Sequence, residues 1–104
     1  MLVWTGRTRA VHEEEAANGR EAIERFREHR PDVTLMDLRL PDMSGIDAML
    51  AIRAEFPEAR FIILTTFESD TDSRRALAGG ARAYLLKSAP PAQLAETIRR
   101  VYTR

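Results

Sequence analysis

The chain has 104 residues, enough for one small domain with a single modest core. Lysine plus arginine equal aspartate plus glutamate at 16 each, so no net charge points to nucleic acid or an anionic membrane. Cysteine is absent, which excludes disulfides, thiolate metal sites and cysteine nucleophiles, and no apolar run reaches the ~18 residues that span a bilayer. These features predict a cytoplasmic protein without a membrane partner.

Strand-like and helix-like segments alternate along the first part of the chain. A short polar strand is predicted over residues 11–16, before the turn dipeptide Asn18-Gly19. An amphipathic helix is predicted over about 20–29. The apolar run over 33–37 predicts a buried strand that ends on a carboxylate.

A second helix is predicted to begin after Ser44, an N-cap residue with Asp47 three positions later. Pro57 ends it. Its inner side is predicted to carry Ile46, Met49, Leu50 and Ile52.

The remaining elements repeat the alternation. A continuous apolar run predicts a strand over 61–65, and a helix follows over about 70–78 until Gly79-Gly80. Another strand is predicted over 83–86. Pro90-Pro91 then begins a last helix, whose apolar positions are Leu94, Ile98 and Val101.

This βαβαβαβα order predicts a doubly wound α/β fold with a parallel sheet. Asp37, Thr65 and Lys87 each close an apolar strand-like run. Ligands of open parallel sheets bind outside the carboxyl ends of the strands. The three side chains are therefore predicted to form one site.

Four segments resemble the receiver domain of bacterial response regulators of the NarL/FixJ subfamily, in the expected order and spacing. They are residues 15–22, 35–41, 64–67 and 80–87. The resemblance covers residues 11–104 and implies the flavodoxin-like receiver fold. Residues 1–10 form an atypical N-terminal segment.

The resemblance implies a role in two-component signalling and regulation of transcription. Asp37 would accept a phosphoryl group from a histidine kinase, and Lys87 would hold a phosphate oxygen. Thr65 and Tyr84 would form the switch that relays phosphorylation to an output domain or a dimer interface. A DNA-binding output domain would lie downstream of Arg104, so no direct nucleic-acid contact is expected of this chain.

The start of the chain departs from the family pattern. A receiver normally begins with a central strand that ends in two acidic residues, followed by a helix. Those acids hold Mg²⁺ together with the phosphoacceptor and a backbone carbonyl, here Asp37 and Arg39. Residues 1–10 contain no acid. The resemblance thus implies Mg²⁺ as the cofactor, but without the acidic pair this sequence predicts that Mg²⁺ binds poorly. The missing segment also predicts an N-terminally truncated or rearranged fold.

Residues 1–5 are apolar, but only five residues separate them from the next strand. A parallel crossover needs a dozen or more, so within one chain this segment pairs there only as an antiparallel hairpin. If the central position of the sheet were empty, the fold would lack on the order of 10 kcal/mol of stabilisation from buried apolar side chains. The sequence therefore predicts a homodimer or strand-exchanged oligomer. The acidic run Glu13-Glu14-Glu15 is expected in an edge strand, away from Asp37.

Two functions remain open on these residues. One is a receiver switched by phosphorylation of Asp37. The other is a phosphorylation-incompetent pseudo-receiver that acts as an interaction or dimerisation module. An enzyme of the hydrolase or phosphatase class is not expected, because the chain has neither a nucleophile elbow nor a Gly-rich phosphate loop.

Overall fold

The computed structural model describes residues 1–67 and 69–103. Five strands and four helices follow one another in this part of the chain. The strands are β1 Leu2–Thr5, β2 Ala10–Glu13, β3 Val33–Asp37, β4 Phe61–Thr65 and β5 Ala83–Leu86. The helices are α1 Gly19–His29, α2 Gly45–Glu55, α3 Asp70–Ala78 and α4 Pro91–Tyr102.

The strands form one sheet in the order β2-β1-β3-β4-β5. Strands β3, β4 and β5 are parallel, as the apolar runs predict. Strand β1 is antiparallel to both of its neighbours. The sheet is therefore mixed at its rearranged N-terminal end, where β1 and β2 form the predicted antiparallel hairpin that their short connection allows.

Strand β1 fills the central position that the sequence suggested would be empty. Val3 lies opposite His12 of β2 and opposite Thr34 of β3, and it is buried. Trp4 is also buried and meets the ring of Tyr102 edge-on at 4.7 Å between centroids. The prediction that the centre of the sheet would be empty in a single chain is thus wrong. An empty central position is therefore no longer a reason to expect self-association.

Local signals explain where three of the helices begin. Asn18, Ser44 and Ser69 each accept a hydrogen bond from the backbone N–H three residues later, which caps α1, α2 and α3. Helix α4 begins with Pro91 at its first position, where a missing N–H costs nothing. No helix in residues 1–67 or 69–103 has the length and apolar character to cross a bilayer.

The two faces of the sheet are covered unequally. Helices α1, α2 and α3 pack on one face, over a core that includes Phe26, Met49 and Phe61. Helix α4 alone packs on the other face, through Ile98 and Val101. One helix of 12 residues does not cover five strands, so β2 is exposed along its whole length.

Most predicted elements are confirmed to within a residue or two. The first predicted strand is displaced, since β2 ends at Glu13 rather than at Ala16. The predicted inner position of Leu50 is wrong: this side chain is 44% exposed, while Ile46, Met49 and Ile52 are buried.

Candidate functional site

The carboxyl ends of β3, β4 and β5 bring three of the predicted site residues together. Asp37 is the last residue of β3, Thr65 the last of β4, and Lys87 follows β5 directly. Nζ of Lys87 lies 3.2 Å from Oδ1 of Asp37. The backbone N–H of Lys87 donates to the carbonyl of Thr65 at 2.7 Å, which fixes β5 beside β4 at the site.

A cavity of about 50 Å³ lies among these residues. It is lined by Asp37, Leu38, Arg39, Leu64, Thr65, Thr66 and Lys87. The side chains of Asp37 and Lys87 are 45% and 44% exposed, so a reactant can reach both from solvent. The site thus presents an accessible carboxylate beside one cation.

Lys87 is the only lysine in the chain, and the other strongly basic side chains are all arginine. A lysine carries a compact point charge on a flexible stem, whereas arginine is a planar fork. The ammonium group of this single lysine is the one that faces Asp37. The sequence alone shows that Lys87 is the single lysine, although the distance between its ammonium group and Asp37 is visible only in the structure.

The hydroxyl of Thr65 is engaged away from Asp37. It donates to the carbonyl of Phe67 at 3.0 Å and accepts from the N–H of Phe67 at 3.2 Å. Thr65 is buried, whereas Phe67 is 77% exposed on the loop after β4. Thr65 thus lies close to the site, but its hydroxyl is hydrogen-bonded to the backbone of the loop that follows β4.

Tyr84 lies in β5 and packs against the core beneath α1, α2 and α3. Its hydroxyl is buried, and within the described part of the chain it has no hydrogen-bond partner. A buried unpaired hydroxyl carries a desolvation cost. The hydroxyl of Tyr84 therefore makes no hydrogen bond to Asp37, and the side chain packs against the core.

The loop after β3 is fixed by backbone contacts at both ends. Arg39 and Ser44 form an isolated antiparallel bridge, and the N–H of Gly45 donates to the carbonyl of Leu38 at 2.6 Å. Asp42 lies within this loop. Its carboxylate accepts from the N–H groups of Gly19 at 2.7 Å and Arg20 at 3.1 Å.

These contacts tie the loop to the first turn of α1. The hydrogen bond from Gly19 lowers the pKa of Asp42, and the bond from Arg20 acts in the same direction. Asp42 and Gly19 are separated by 23 positions, so no local sequence pattern indicates this contact.

The residues present do not fit a family-type Mg²⁺ site. In residues 1–67 and 69–103, no three acidic or histidine side chains converge on one point. Because β1 is reversed, its amino end rather than its carboxyl end lies beside the end of β3. Asp37 and the carbonyl of Arg39 remain the only ligands that the family pattern supplies here.

A larger cavity of about 340 Å³ opens next to Asp37 on the α4 face. It is lined by Met1, Leu2, Glu13, Leu35, Asp37, Leu64, Leu86, Lys87, Ala89 and Leu94. Glu13 thus reaches the cavity of Asp37, contrary to the expectation that the acidic run lies away from it. The hairpin explains this, because it makes β2 run parallel to β3 and end at the same edge.

Comparison with known proteins agrees with this arrangement. The sequence profile of the response regulator receiver domain matches residues 5–99. Response regulator protein VraR of Staphylococcus epidermidis is 36% identical over 88 residues, which cover 85% of this chain and 42% of that protein. Oxygen regulatory protein NreC of Staphylococcus haemolyticus is 42% identical, over 84% of this chain and 41% of that protein. The chain therefore spans about two fifths of the length of these relatives.

Solved structures show the same fold. A two-component response regulator of the LuxR family from Aurantimonas sp. SI85-9A1 superposes with a TM-score of 0.81 at 37% identity, covering 86% of this chain and 64% of that one. The receiver domain of the response regulator NarL from Mycobacterium tuberculosis gives 0.77 at 27% identity, over 83% and 69%. Sequence profile, relatives and fold agree: this chain belongs to the response regulator receiver domain family.

Proposed function

We propose that Asp37 accepts a phosphoryl group from the phosphohistidine of a histidine kinase. The observation that carries this proposal is the 3.2 Å contact between Asp37 and Lys87 at the solvent-accessible end of the sheet. A carboxylate is a competent nucleophile for phosphoryl transfer. The transferring group needs positive charge at its equatorial oxygens, and Lys87 supplies it.

In this reaction a carboxylate oxygen of Asp37 forms a bond to phosphorus while the phosphorus–nitrogen bond of the phosphohistidine breaks. The imidazole nitrogen leaves with the electron pair and takes a proton. The product is an acyl phosphate on Asp37. Lys87 exchanges its ion pair with the carboxylate for one with a phosphate oxygen.

We propose that Thr65 and Tyr84 form the switch. The hydroxyl of Thr65 would leave the backbone of Phe67 and donate to a phosphate oxygen. This exchange replaces two neutral hydrogen bonds by a charge-assisted one, which is stronger. The loop after β4 would then rearrange, with Tyr84 packed beneath it.

The rate of phosphorylation is expected to be low. Without the acidic pair, Lys87 is the one cationic side chain that the family pattern places at Asp37. Mg²⁺ usually contributes several kcal/mol at such sites. The reaction should therefore depend little on added Mg²⁺.

The test is incubation of the chain with acetyl phosphate or phosphoramidate, with and without Mg²⁺, followed by intact-mass spectrometry. A slow gain of one phosphoryl group that Asp37→Asn abolishes is the expected result. Asp47→Asn is the matched control, since this exposed acid begins α2 and lies outside the site. A gain that survives in Asp37→Asn would contradict the assignment of the nucleophile.

A pseudo-receiver is the second candidate, and the start of the chain favours it: residues 1–10 contain no acid, and the reversed β1 brings its amino end rather than its carboxyl end beside the end of β3. In that case the chain acts as an interaction module without phosphoryl chemistry. No gain of mass with either small donor, or with a phosphorylated histidine kinase, would support it. Under both candidates we propose that the chain works with a DNA-binding output domain, because a protein of the same fold, a LuxR-family response regulator from Staphylococcus aureus, is DNA-binding.

A further inference from the structure

The exposed edge of the sheet at β2 has an unusual distribution of charge. Arg7 and Arg9 precede the strand, Glu13 is its last residue, and Glu14 and Glu15 follow it. Val11 lies at its middle and is 42% exposed. A strand that is basic at one end and acidic at the other is complementary to a second copy of itself in antiparallel orientation.

The backbone of β2 is ready for such pairing. Met1 and Glu14 exchange both of their backbone hydrogen bonds, at 2.9 and 3.2 Å, so Glu14 points its backbone groups toward β1. In an antiparallel ladder this orientation alternates from residue to residue. Val11 and Glu13 therefore point their N–H and C=O groups outward, at the free edge.

The side chains that would meet a partner lie on one face. Arg9 and Val11 line a cavity of about 340 Å³ between the hairpin and α4, together with Trp4 and Ile98. Glu13 lines the neighbouring cavity on the same side. Val11 and Glu13 of β2, and Arg9 in the turn just before the strand, thus place an apolar, an acidic and a basic side chain on this side of the edge.

We propose that two copies of this chain pair through β2, antiparallel, with Val11 opposite Val11 and Arg9 opposite Glu13 of the second copy. The pairing extends the two sheets into one and places both α4 helices on the same face. It satisfies the outward backbone groups of Val11, and it sets two opposite-charge pairs and one apolar pair across the interface. It goes beyond the proposed phosphoryl transfer and does not depend on it.

Side-chain pairing selects this register over its neighbour. Moving one copy by two residues keeps the outward backbone groups facing each other but sets Val11 opposite Glu13. That register loses the valine pair and moves Arg9 from Glu13, the last residue of β2, to Glu15, which lies beyond the strand. An exposed strand edge that is not blocked by proline, lysine or a bulge is a template for pairing with another chain.

The decisive experiment is sedimentation equilibrium of the full 104-residue chain and a set of charge-exchange variants. The wild type should show a reversible monomer–dimer equilibrium. Arg9→Glu and Glu13→Arg should each raise the dissociation constant about tenfold or more, since attraction becomes repulsion at two symmetric positions. The double variant Arg9→Glu/Glu13→Arg should restore dimerisation, because both copies carry the exchanged pair.

Arg82→Glu is the matched control at the opposite edge of the sheet, where an exposed arginine precedes β5, and it should leave the dissociation constant unchanged. Circular dichroism checks that each variant keeps its fold. A wild type that stays monomeric up to about 0.5 mM overturns the proposal. The proposal is also overturned if neither single exchange raises the dissociation constant of the dimer, or if the double variant does not dimerise as the wild type does.

A cysteine scan tests the register without altering charge, since the chain has no cysteine of its own. Val11→Cys should form a disulfide-linked dimer under mild oxidation, because directly opposite residues of a hydrogen-bonded pair lie within disulfide reach. Leu77→Cys is the control at an exposed apolar position on α3. Equal cross-linking of the two variants, or preferential cross-linking of Leu77→Cys, contradicts the proposed interface.

Discussion

Gly45 packs its α-carbon directly against the main-chain carbonyl of Asp37, and a Cβ at this position would collide with that carbonyl. The close approach lets the N–H of Gly45 donate to Leu38 and brings α2 against the end of β3. The backbone of Asp37, the proposed phosphoacceptor, is therefore held by a residue that must have no side chain.

Gly45→Ala should destabilise the chain by about 2–3 kcal/mol, since the obstructing atom is backbone and can move only by shifting β3 or α2. Urea denaturation followed by circular dichroism measures the effect. Gly79→Ala is the control, because it has a helical φ and the nearest atom to its added Cβ is a side-chain methyl of Leu50. Equal losses of unfolding free energy in the two variants would show that the close contact of Gly45 with Asp37 has no particular effect on stability.

Lys87→Gln should reduce phosphorylation of Asp37 by about a hundredfold, the scale of losing one electrostatic group at a reacting centre. The free energy of unfolding should change by less than about 1 kcal/mol, since both partners of the ion pair are nearly half exposed. Intact-mass spectrometry and urea denaturation measure the two quantities. A large loss of stability with unchanged phosphorylation would assign Lys87 a structural role instead.

Tyr84→Phe should leave stability unchanged or raise it by about 1 kcal/mol, because it removes a buried hydroxyl that has no partner in the described part of the chain. Thr34→Val offers a parallel case, since the hydroxyl of Thr34 is buried and unpaired in the same way. Urea denaturation of both variants checks the idea. A loss of more than 1 kcal/mol in Tyr84→Phe would show that its hydroxyl makes a stabilising hydrogen bond.

The sequence predicted the three parallel strands and all four helices because their signals are local. Apolar runs mark β3 and β4, and side-chain caps such as Ser44 mark helix starts. The contact between Asp37 and Lys87 was predictable because both residues lie at the carboxyl ends of parallel strands, which meet at one edge of the sheet. Leu50 was misplaced because helical periodicity alone does not show how wide the buried stripe is.

The direction of β1 could not be decided from local signals. The hairpin was recognised as the only intrachain pairing of residues 1–5 with β2, yet its docking against β3 depends on burial of Val3 and Trp4 between elements far apart in sequence. The same reversal carried Glu13 to the cavity of Asp37. Both features follow from tertiary packing and not from periodicity.

Val3→Ala tests whether β1 fills the centre of the sheet in solution. Val3 is fully buried between β2 and β3, so its truncation should cost about 2–3 kcal/mol. Val11→Ala on the exposed edge is the matched control and should cost less than about 1 kcal/mol in the monomer. If the two substitutions have the same small effect on the urea midpoint, β1 does not occupy the central position.

Asp42→Asn should destabilise the chain at neutral pH, with an effect that disappears in acid. The N–H groups of Gly19 and Arg20 lower the pKa of the folded Asp42 carboxyl below that of the unfolded chain. The stabilisation is therefore complete above the unfolded pKa of about 4 and is lost as the pH falls through the lower folded value. The difference in unfolding free energy between wild type and variant should be largest at pH 7 and should shrink below about pH 4.

Glu55→Gln provides the contrast for this pH experiment. Glu55 also has a lowered pKa, but the cause is its side-chain hydrogen bond and charge interaction with Arg27, at 2.5 Å between the closest atoms. Its effect should follow the same pH direction and weaken in high salt, because an exposed ion pair is screened. The Asp42 effect should respond less to salt, since its partners are backbone dipoles at the start of α1. Urea midpoints at pH 7 and pH 3, each at low and high salt, separate the two. An Asp42→Asn effect that persists undiminished at pH 3 would contradict the assigned role of its carboxylate.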